Sequence, residues 1–170
     1  MQSRSGGWGA FDVDNEAYWL YKLPFCDFGK VTDEPSADVT AHALEACGIE
    51  RGHPAVRRAV AWLDSVQNED GGFGEDIRSY ADRAWRGRGA STPSQTAWAL
   101  LAYVAAGEAG SQATRRAAEW LCSRQQANGD WDEPQFTGTG FPLDFMIRYH
   151  LYRLHFPLLA LGRLRERLAR

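Results

Sequence analysis

Residues 125–131 read Gln-Gln-Ala-Asn-Gly-Asp-Trp, and versions of this short stretch occur three times in the chain. Residues 67–73 read Gln-Asn-Glu-Asp-Gly-Gly-Phe, and residues 2–8 read Gln-Ser-Arg-Ser-Gly-Gly-Trp. Each copy has a glutamine, a glycine four residues later and an aromatic residue two residues after that; the outer pairs are Gln2 with Trp8, Gln67 with Phe73, and Gln125 with Trp131. The three glutamines recur at similar intervals, which is typical of repeated supersecondary units.

The segments before the second and third motifs also match each other. Residues 53–63 and 111–121 both contain Arg-Arg-Ala followed by a Trp-Leu pair, with apolar residues at helical spacing. Each is predicted to be an outer helix that ends in a glycine turn. Inner helices are predicted over Ser36 to Cys47, with its first residue as cap, and over Ser94 to Ala106, which is apolar on nearly all sides and ends at Gly107.

These units predict an all-α fold of helical hairpins. No part of the chain has the alternation of a β-strand, and residues 11–34 and 74–91 are predicted to be long loops. The glutamine amides are expected to bond to free backbone groups at helix ends. We therefore interpret the three Gln motifs as structural, since the chemistry of a single site does not recur at a fixed period.

A run of rings follows the last motif. Residues 137–152 begin with a glycine-rich turn and a Phe-Pro junction, and aromatic residues then recur at spacings of four, four and three: Phe141, Phe145, Tyr149 and Tyr152. This spacing predicts one helix with four rings on one side. The pattern alone leaves two interpretations open, a packed core or a ring-lined cavity for an apolar substrate or a cation. A final helix is predicted over residues 156–168.

Composition excludes several classes of protein. A net charge of −3 over 170 residues gives no support for nucleic-acid binding. Cys26, Cys47 and Cys122 form no close pair, so we expect buried thiols in a reducing compartment and neither disulfides nor a zinc site. No signal peptide or membrane-spanning run is recognised at the sequence level, and a cytoplasmic location is expected. No cofactor and no metal are predicted.

Taken together, the motifs resemble the C-terminal part of squalene–hopene cyclases, in the terpene cyclase family with Gln-Trp repeats. The matching segments follow the family's order across nearly the whole chain: residues 6–15, 24–29, 38–42, 89–100, 131–134 and 137–152. The resemblance implies that residues 1–170 form one partial α/α-toroid domain, part of an (α/α)6 barrel. It also implies a class II isomerase of hopanoid or triterpenoid biosynthesis, which protonates squalene or a similar polyprenoid and lets a cationic cascade close the rings, on the inner face of a membrane.

The resemblance also assigns roles to single residues. His42 matches the histidine that supports the catalytic acid. The cavity aromatics of the family match Phe11, Phe141, Phe145, Tyr149 and Tyr152, and an aliphatic position that shapes the cavity matches Ile147. Aromatic faces stabilise cations by up to about 2 kcal/mol each when desolvated.

Two departures qualify that expectation. The acid motif D-x-D-D is absent, and residues 12–15, Asp-Val-Asp-Asn, match a different family segment. In the family the acid lies upstream of the position that Met1 matches. In addition, the chain passes from the helix at Arg57 directly to Gln67, where relatives carry a further repeat. We therefore expect a fragment that is inactive alone, with an upstream cyclase portion or self-association supplying what is missing.

Two other functions stay open at this stage. The chain could be a non-enzymatic helical-repeat module that binds an apolar ligand or partner protein through its inner face. It could also be a subunit similar to protein prenyltransferases, but these need a zinc set, and only His42 and Cys47 lie one helix turn apart.

Overall fold

The computed structural model describes residues 2–10, 13, 19, 22–24, 34–46, 50–80, 82–136, 138–139 and 146–170. The helices in this part of the chain are α1 (Ala37–Ala46), α2 (Pro54–Val66), α3 (Pro93–Ala106), α4 (Gln112–Arg124) and α5 (Tyr152–Leu168). Two short 3₁₀ helices, Ile77–Tyr80 and Arg83–Trp85, lie between α2 and α3. The predicted all-α fold of helical hairpins is confirmed.

Local sequence explains where the hairpin helices begin. Thr92 caps α3 because its hydroxyl accepts a hydrogen bond from the Gln95 N–H at 3.3 Å, and Pro93 occupies the first turn, where no N–H is required. Ser111 caps α4 in the same way by accepting from the Thr114 N–H at 3.2 Å. The predicted cap at Ser36 is also present, since its hydroxyl accepts from the Val39 N–H at 3.4 Å.

Helix α3 is the centre of the molecule. It packs against α1, α2, α4 and α5, and its side chains from Pro93 to Tyr103 are all buried. This confirms the prediction of a helix that is enclosed on all sides. Its C-terminus is at Gly107, as predicted, where a left-handed φ of 90° lets the glycine N–H bond back to the last turn.

The outer helices α2 and α4 bury one face only. The buried residues of α2 are Val56, Ala59, Trp62 and Leu63, and those of α4 are Thr114, Ala117, Trp120 and Leu121. The shift that carries Gln67 onto Gln125 also carries each residue of the first set onto its counterpart in the second, so the two helices use the same face in the same way. The repeat recognised in the sequence is therefore a repeat of packing as well.

The predicted aromatic helix over residues 141–152 is wrong in its described part. Met146–Ile147 form strand β2, which pairs antiparallel with strand β1, Gly138–Thr139, and α5 starts only at Tyr152. The expectation that the chain has no strand is thus wrong at this one ladder. Ring spacing alone could not reveal it, because two-residue strands are specified by the pairing of distant backbone groups and leave almost no pattern in the sequence.

Further expectations need correction. Helix α5 begins four residues before the predicted start at Phe156, and it contains Pro157. The loop predicted over 74–91 contains the two 3₁₀ helices. Cys122 is exposed, not buried. Cys26 and Cys47 lie outside the described residues. No helix in the described part of the chain is long and apolar enough to cross a membrane.

Candidate functional site

A cluster of aromatic rings connects the three inner helices. Trp98 of α3 is at its centre, with ring centroids 5.4 Å from His42 of α1 and 5.1 Å from Phe156 of α5. His42 and Phe156 also contact each other, at 6.3 Å between centroids. These tilted and edge-to-face arrangements are the ones that aromatic quadrupoles favour. One ring from each inner helix therefore contributes to a continuous aromatic surface.

The N-terminus of α5 extends this surface. The Tyr152 ring lies edge-on to Trp98 at 5.6 Å and to Phe156 at 5.0 Å. Tyr149 stacks on Tyr152 with centroids 4.7 Å apart and an interplanar angle of 22°, and its side chain is half exposed. The surface thus runs from a buried tryptophan to rings that water can reach.

Four of the residues predicted to form the site can be placed in the structure. His42, Tyr149 and Tyr152 belong to the ring cluster, whereas Ile147 lies on β2, half-buried and paired with Gly138. The predicted cavity aromatics Phe11, Phe141 and Phe145 lie outside the described residues. The structure therefore brings together three of the residues that the resemblance selected.

Sequence reasoning missed two members of the cluster. Trp98 was interpreted as core of a buried helix, and Phe156 as the start of a separate one. Trp98 is indeed only 3% exposed, and its indole N–H has no hydrogen-bond partner in the described part of the structure. A signal was present for Phe156, because it follows Tyr152 by four residues and so continues the same helical face.

The Gln motifs act as clamps between a turn and an outer helix. The Gln67 side-chain amide donates to the carbonyl oxygen of Gly71 in its own turn and to that of Ala113 in the first turn of α4, both at 2.9 Å. Gln2 does the same with Gly6 at 2.6 Å and with Ala55 of α2 at 2.8 Å. The expectation that these amides bond to backbone groups at helix ends is confirmed for Gln2 and Gln67.

The aromatic residue of each of the first two motifs is held by a buried threonine. The Phe73 N–H donates to the Thr96 hydroxyl at 2.9 Å, and that hydroxyl lies 3.4 Å from the Phe73 carbonyl oxygen. Trp8 and Thr40 repeat this arrangement at 2.9 and 3.5 Å. Each motif is thereby tied to the inner helix that follows it in the chain.

The second and third motifs are each followed by a glutamate that ties the motif to the preceding inner helix. Glu133, two residues after Trp131, accepts hydrogen bonds from the Ser94 N–H at 3.0 Å and from its hydroxyl at 2.5 Å, at the N-terminus of α3. Glu75, two residues after Phe73, accepts from the Ala37 N–H of α1 at 3.3 Å. Burial raises the pKa of Glu133, although the bonds from Ser94 act in the opposite direction.

Fold and site define a helical-repeat protein with an aromatic surface on its inner helices. The family model for the squalene-hopene cyclase C-terminal domain matches residues 1–50 and 42–166. The chain belongs to this family, and its fold is that of the family's helical toroid.

Relatives with known names support this assignment. The chain is 43% identical over 221 positions to squalene–hopene cyclase of Alicyclobacillus acidocaldarius, covering all of this chain and 35% of the relative. It is 40% identical to the probable squalene–hopene cyclase of Sinorhizobium fredii (98% and 34% covered) and 33% identical to dammaradiene synthase of Dryopteris crassirhizoma (99% and 35%). The chain therefore spans about a third of the length of these relatives.

The first of these alignments also bears on the missing repeat. It has 221 positions, whereas the chain has 170 residues, so at least 51 positions of the relative have no counterpart here. Their total number approaches the interval between Gln67 and Gln125. The absence of one internal repeat stays a prediction.

Proposed function

We propose that the chain supplies the C-terminal aromatic wall of a class II polyprenoid cyclase, whose acid comes from a polypeptide region outside these residues. The observation that carries the proposal is the ring cluster on α1, α3 and α5 around Trp98. Ring faces can stabilise a carbocation that moves along a folded polyprenoid, and a surrounding apolar wall delays quenching by water. Squalene is the first substrate to test, because it is named in the relatives.

His42 is the residue proposed to serve the acid. Its imidazole is exposed although its ring lies against Trp98, so an acidic group from outside the described residues can reach it. A cationic imidazole beside a carboxyl pair favours loss of a proton from the neighbouring acid. His42 would then be a positioning residue for the proton donor, while Tyr149 and Tyr152 would contact the polyprenoid.

Reconstitution tests this proposal. The chain is incubated with squalene alone and together with the N-terminal portion of the Alicyclobacillus enzyme that precedes the aligned region, and products are measured by gas chromatography. We expect no polycyclic product from the chain alone and polycyclic products from the mixture. In the mixture, His42→Ala should lower the rate roughly 100-fold, the order of a general acid–base contribution. His155→Ala, which removes another exposed imidazole, is the matched control.

Two results would contradict this role. A polycyclic product from the chain alone would show that the acid is present in it. If light scattering shows that the two polypeptides assemble but the mixture yields no product, the proposed role of the chain in cyclisation is excluded.

The second candidate is a binding module without catalysis. It is favoured by apolar side chains of α5 and the segment before it that stay exposed: Tyr149, Leu151, Leu158 and Leu159. Exposed apolar surface of this kind is typical of interaction sites. Saturable binding of squalene to the chain, with no product from the chain alone or from the mixture, would support a binding module and not a part of a cyclase.

A further inference from the structure

In the part of the chain that the structure describes, no outer helix lies against the third Gln motif, unlike its two copies. Gln2 holds the first turn of α2 and Gln67 holds the first turn of α4. Among the described residues, the Gln125 amide donates only to Gly129 of its own turn, at 3.1 Å. Residues 122–129 are exposed throughout. The same clamp is therefore formed here, but nothing in the described structure lies in it.

The backbone around the third glycine is open for the same reason. A Cβ built on Gly71 would lie 2.9 Å from the Arg116 carbonyl oxygen of α4, and one on Gly6 would lie 2.5 Å from that of Arg58 in α2. A Cβ on Gly129 meets no atom of the described residues within 4 Å. An outer helix thus packs on the first two glycines, and the third is free to receive one.

A largely apolar groove lies along α4, the helix that ends at this motif. The shift that superposes the second motif on the third carries Val60 and Asp64 of α2 onto Ala118 and Cys122 of α4. Val60 and Asp64 line one small cavity together with the first turn of α4, so the end of α2 is covered by the next outer helix. The equivalent end of α4 has no such cover among the described residues.

Instead, Ala118 and Cys122 face α5 across open space. With Leu164 and Leu168 they line a largely apolar groove of about 330 Å³. Leu168 is 63% exposed, and the Cys122 thiol is exposed as well. Helix α4 lies beside α2 and α3. In the described part of the chain, no helix lies in the equivalent position beside α4 and α5.

We propose that this groove and the third Gln motif form one docking surface for an outer helix of a partner polypeptide built from the same repeat. The first turn of that helix would offer a carbonyl oxygen to the Gln125 amide. An arginine three residues later would reach the Gln125 side-chain oxygen, as Arg58 reaches that of Gln2 and Arg116 that of Gln67. The face between them would be apolar and would cover Leu164 and Leu168.

Asp130 determines which outer helix fits. The residue before the motif aromatic is glycine in the first two copies, and a Cβ built there would lie 3.0 Å from the ring of Trp62 at Gly7 or of Trp120 at Gly72. The third copy has Asp130, which carries a side chain and pairs with Arg153 at 3.0 Å. A small residue where α2 and α4 have tryptophan would avoid this tight contact. The fit therefore favours a partner helix of that kind over α2 or α4 of a second copy of the chain.

Peptide binding to the full chain tests the docking surface. The probes copy residues 111–124 of α4 with Cys122→Ser, in one version with the tryptophan kept and in the other with Trp120→Ala. Binding is measured as slower alkylation of Cys122 in the chain by iodoacetamide, read by mass spectrometry of the tryptic peptide. We expect the Trp120→Ala peptide to slow alkylation at least fivefold at saturation and to bind at least fivefold more tightly than the tryptophan peptide.

Variants of the chain and of the peptide localise the effect. Asp130→Gly in the chain should reverse the preference in favour of the tryptophan peptide. Gln125→Ala should weaken binding at least fivefold, whereas Gln126→Ala, at the next exposed position, should not. An Arg116→Ala version of the peptide should also bind weakly. Circular dichroism of each chain variant verifies that it folds.

The results distinguish the proposed partner helix from α4 of a second copy of the chain. Protection of Cys122 by neither peptide, in the natural chain and in Asp130→Gly alike, would overturn the docking surface. Equal protection by both peptides in the natural chain would show that α4 of a second copy fits, and the stated partner would be wrong. No cyclisation is measured, so these results are independent of the proposed enzymatic role.

Discussion

At the scale of single residues, two glycines of the same backbone shape sit in different surroundings. Gly71 has φ 91° and Gly129 has φ 85°, both in the left-handed region that side chains disfavour. Gly71 is buried under Arg116 of α4, while Gly129 is exposed. The pair therefore separates the cost of backbone strain from the cost of crowding against the next helix.

Substitution of these glycines by alanine should give unequal losses of stability. Gly129→Ala should cost about 1–2 kcal/mol, which is the strain of a left-handed residue with a Cβ. Gly71→Ala should cost a further 1–3 kcal/mol or so, because its Cβ would displace the backbone of α4. Urea denaturation of both variants measures the difference. Equal losses would mean that the second motif does not pack against α4 as described.

At the scale of helices, the N-termini of α1 and α3 each contact a glutamate that follows the next Gln motif in the chain, Glu75 for α1 and Glu133 for α3. Glu133 accepts a hydrogen bond from the Ser94 N–H at the N-terminus of α3. The helix dipole makes a negative charge favourable there. It is nevertheless buried, which favours its neutral form. The cap is thus a compromise between an electrostatic gain and a desolvation penalty, and its strength depends on pH.

The stability of the chain should reflect this raised pKa. Between the ordinary carboxyl pKa of 4.5 and the higher value in the folded state, the native chain binds more protons than the unfolded chain. The contribution of Glu133 to stability is therefore present in full at low pH and declines as the pH rises through this interval. In Glu133→Gln this decline should disappear, so the variant gains relative to the natural chain toward neutral pH.

Denaturant titrations from pH 4 to pH 7 test this trend, with Asp132→Asn as a control for the loss of one carboxylate at an exposed neighbouring position. A difference between Glu133→Gln and the natural chain that stays constant or moves in the opposite direction would contradict burial as the dominant influence on Glu133.

At the scale of the whole molecule, stability is centred on α3. Four helices pack around it, and its first turn is satisfied by Thr92 and Glu133. Helix α5, by contrast, has Leu151 at its N-cap position and no side-chain cap. The first turn of α5 is therefore expected to open more easily than the first turn of α3.

Hydrogen exchange should show this gradient. Amides of Ser94 and Gln95 should exchange slowly, close to the rate set by global unfolding, because both N–H groups are bonded and buried. The Arg153 amide, in the uncapped first turn of α5, should exchange at least tenfold faster. Exchange followed by mass spectrometry or NMR checks the order, and equal protection of the two first turns would contradict it.

Much of this organisation could be predicted from the repeat in the sequence. Gln67 and Gln125 mark the ends of α2 and α4. Residues 94–106 are apolar on nearly all sides, which indicates a central helix. Both signals could be recognised because they are encoded locally in the sequence. The three motifs also indicated clamps at helix ends. The residues that the clamps reach, Ala55 and Ala113, could not be predicted, since they depend on how hairpins pack.

The sequence by itself determined the helical repeat and the family, and it selected His42, Tyr149 and Tyr152 as candidate site residues. Only the tertiary structure decided that Trp98 and Phe156 join them and that a β-ladder replaces part of the predicted aromatic helix. It alone also showed that no described helix lies against the third motif. The physical reason is that helix periodicity and turn residues are encoded over a few positions. Ring contacts, strand pairing and an unfilled helix position arise from residues that only folding brings together.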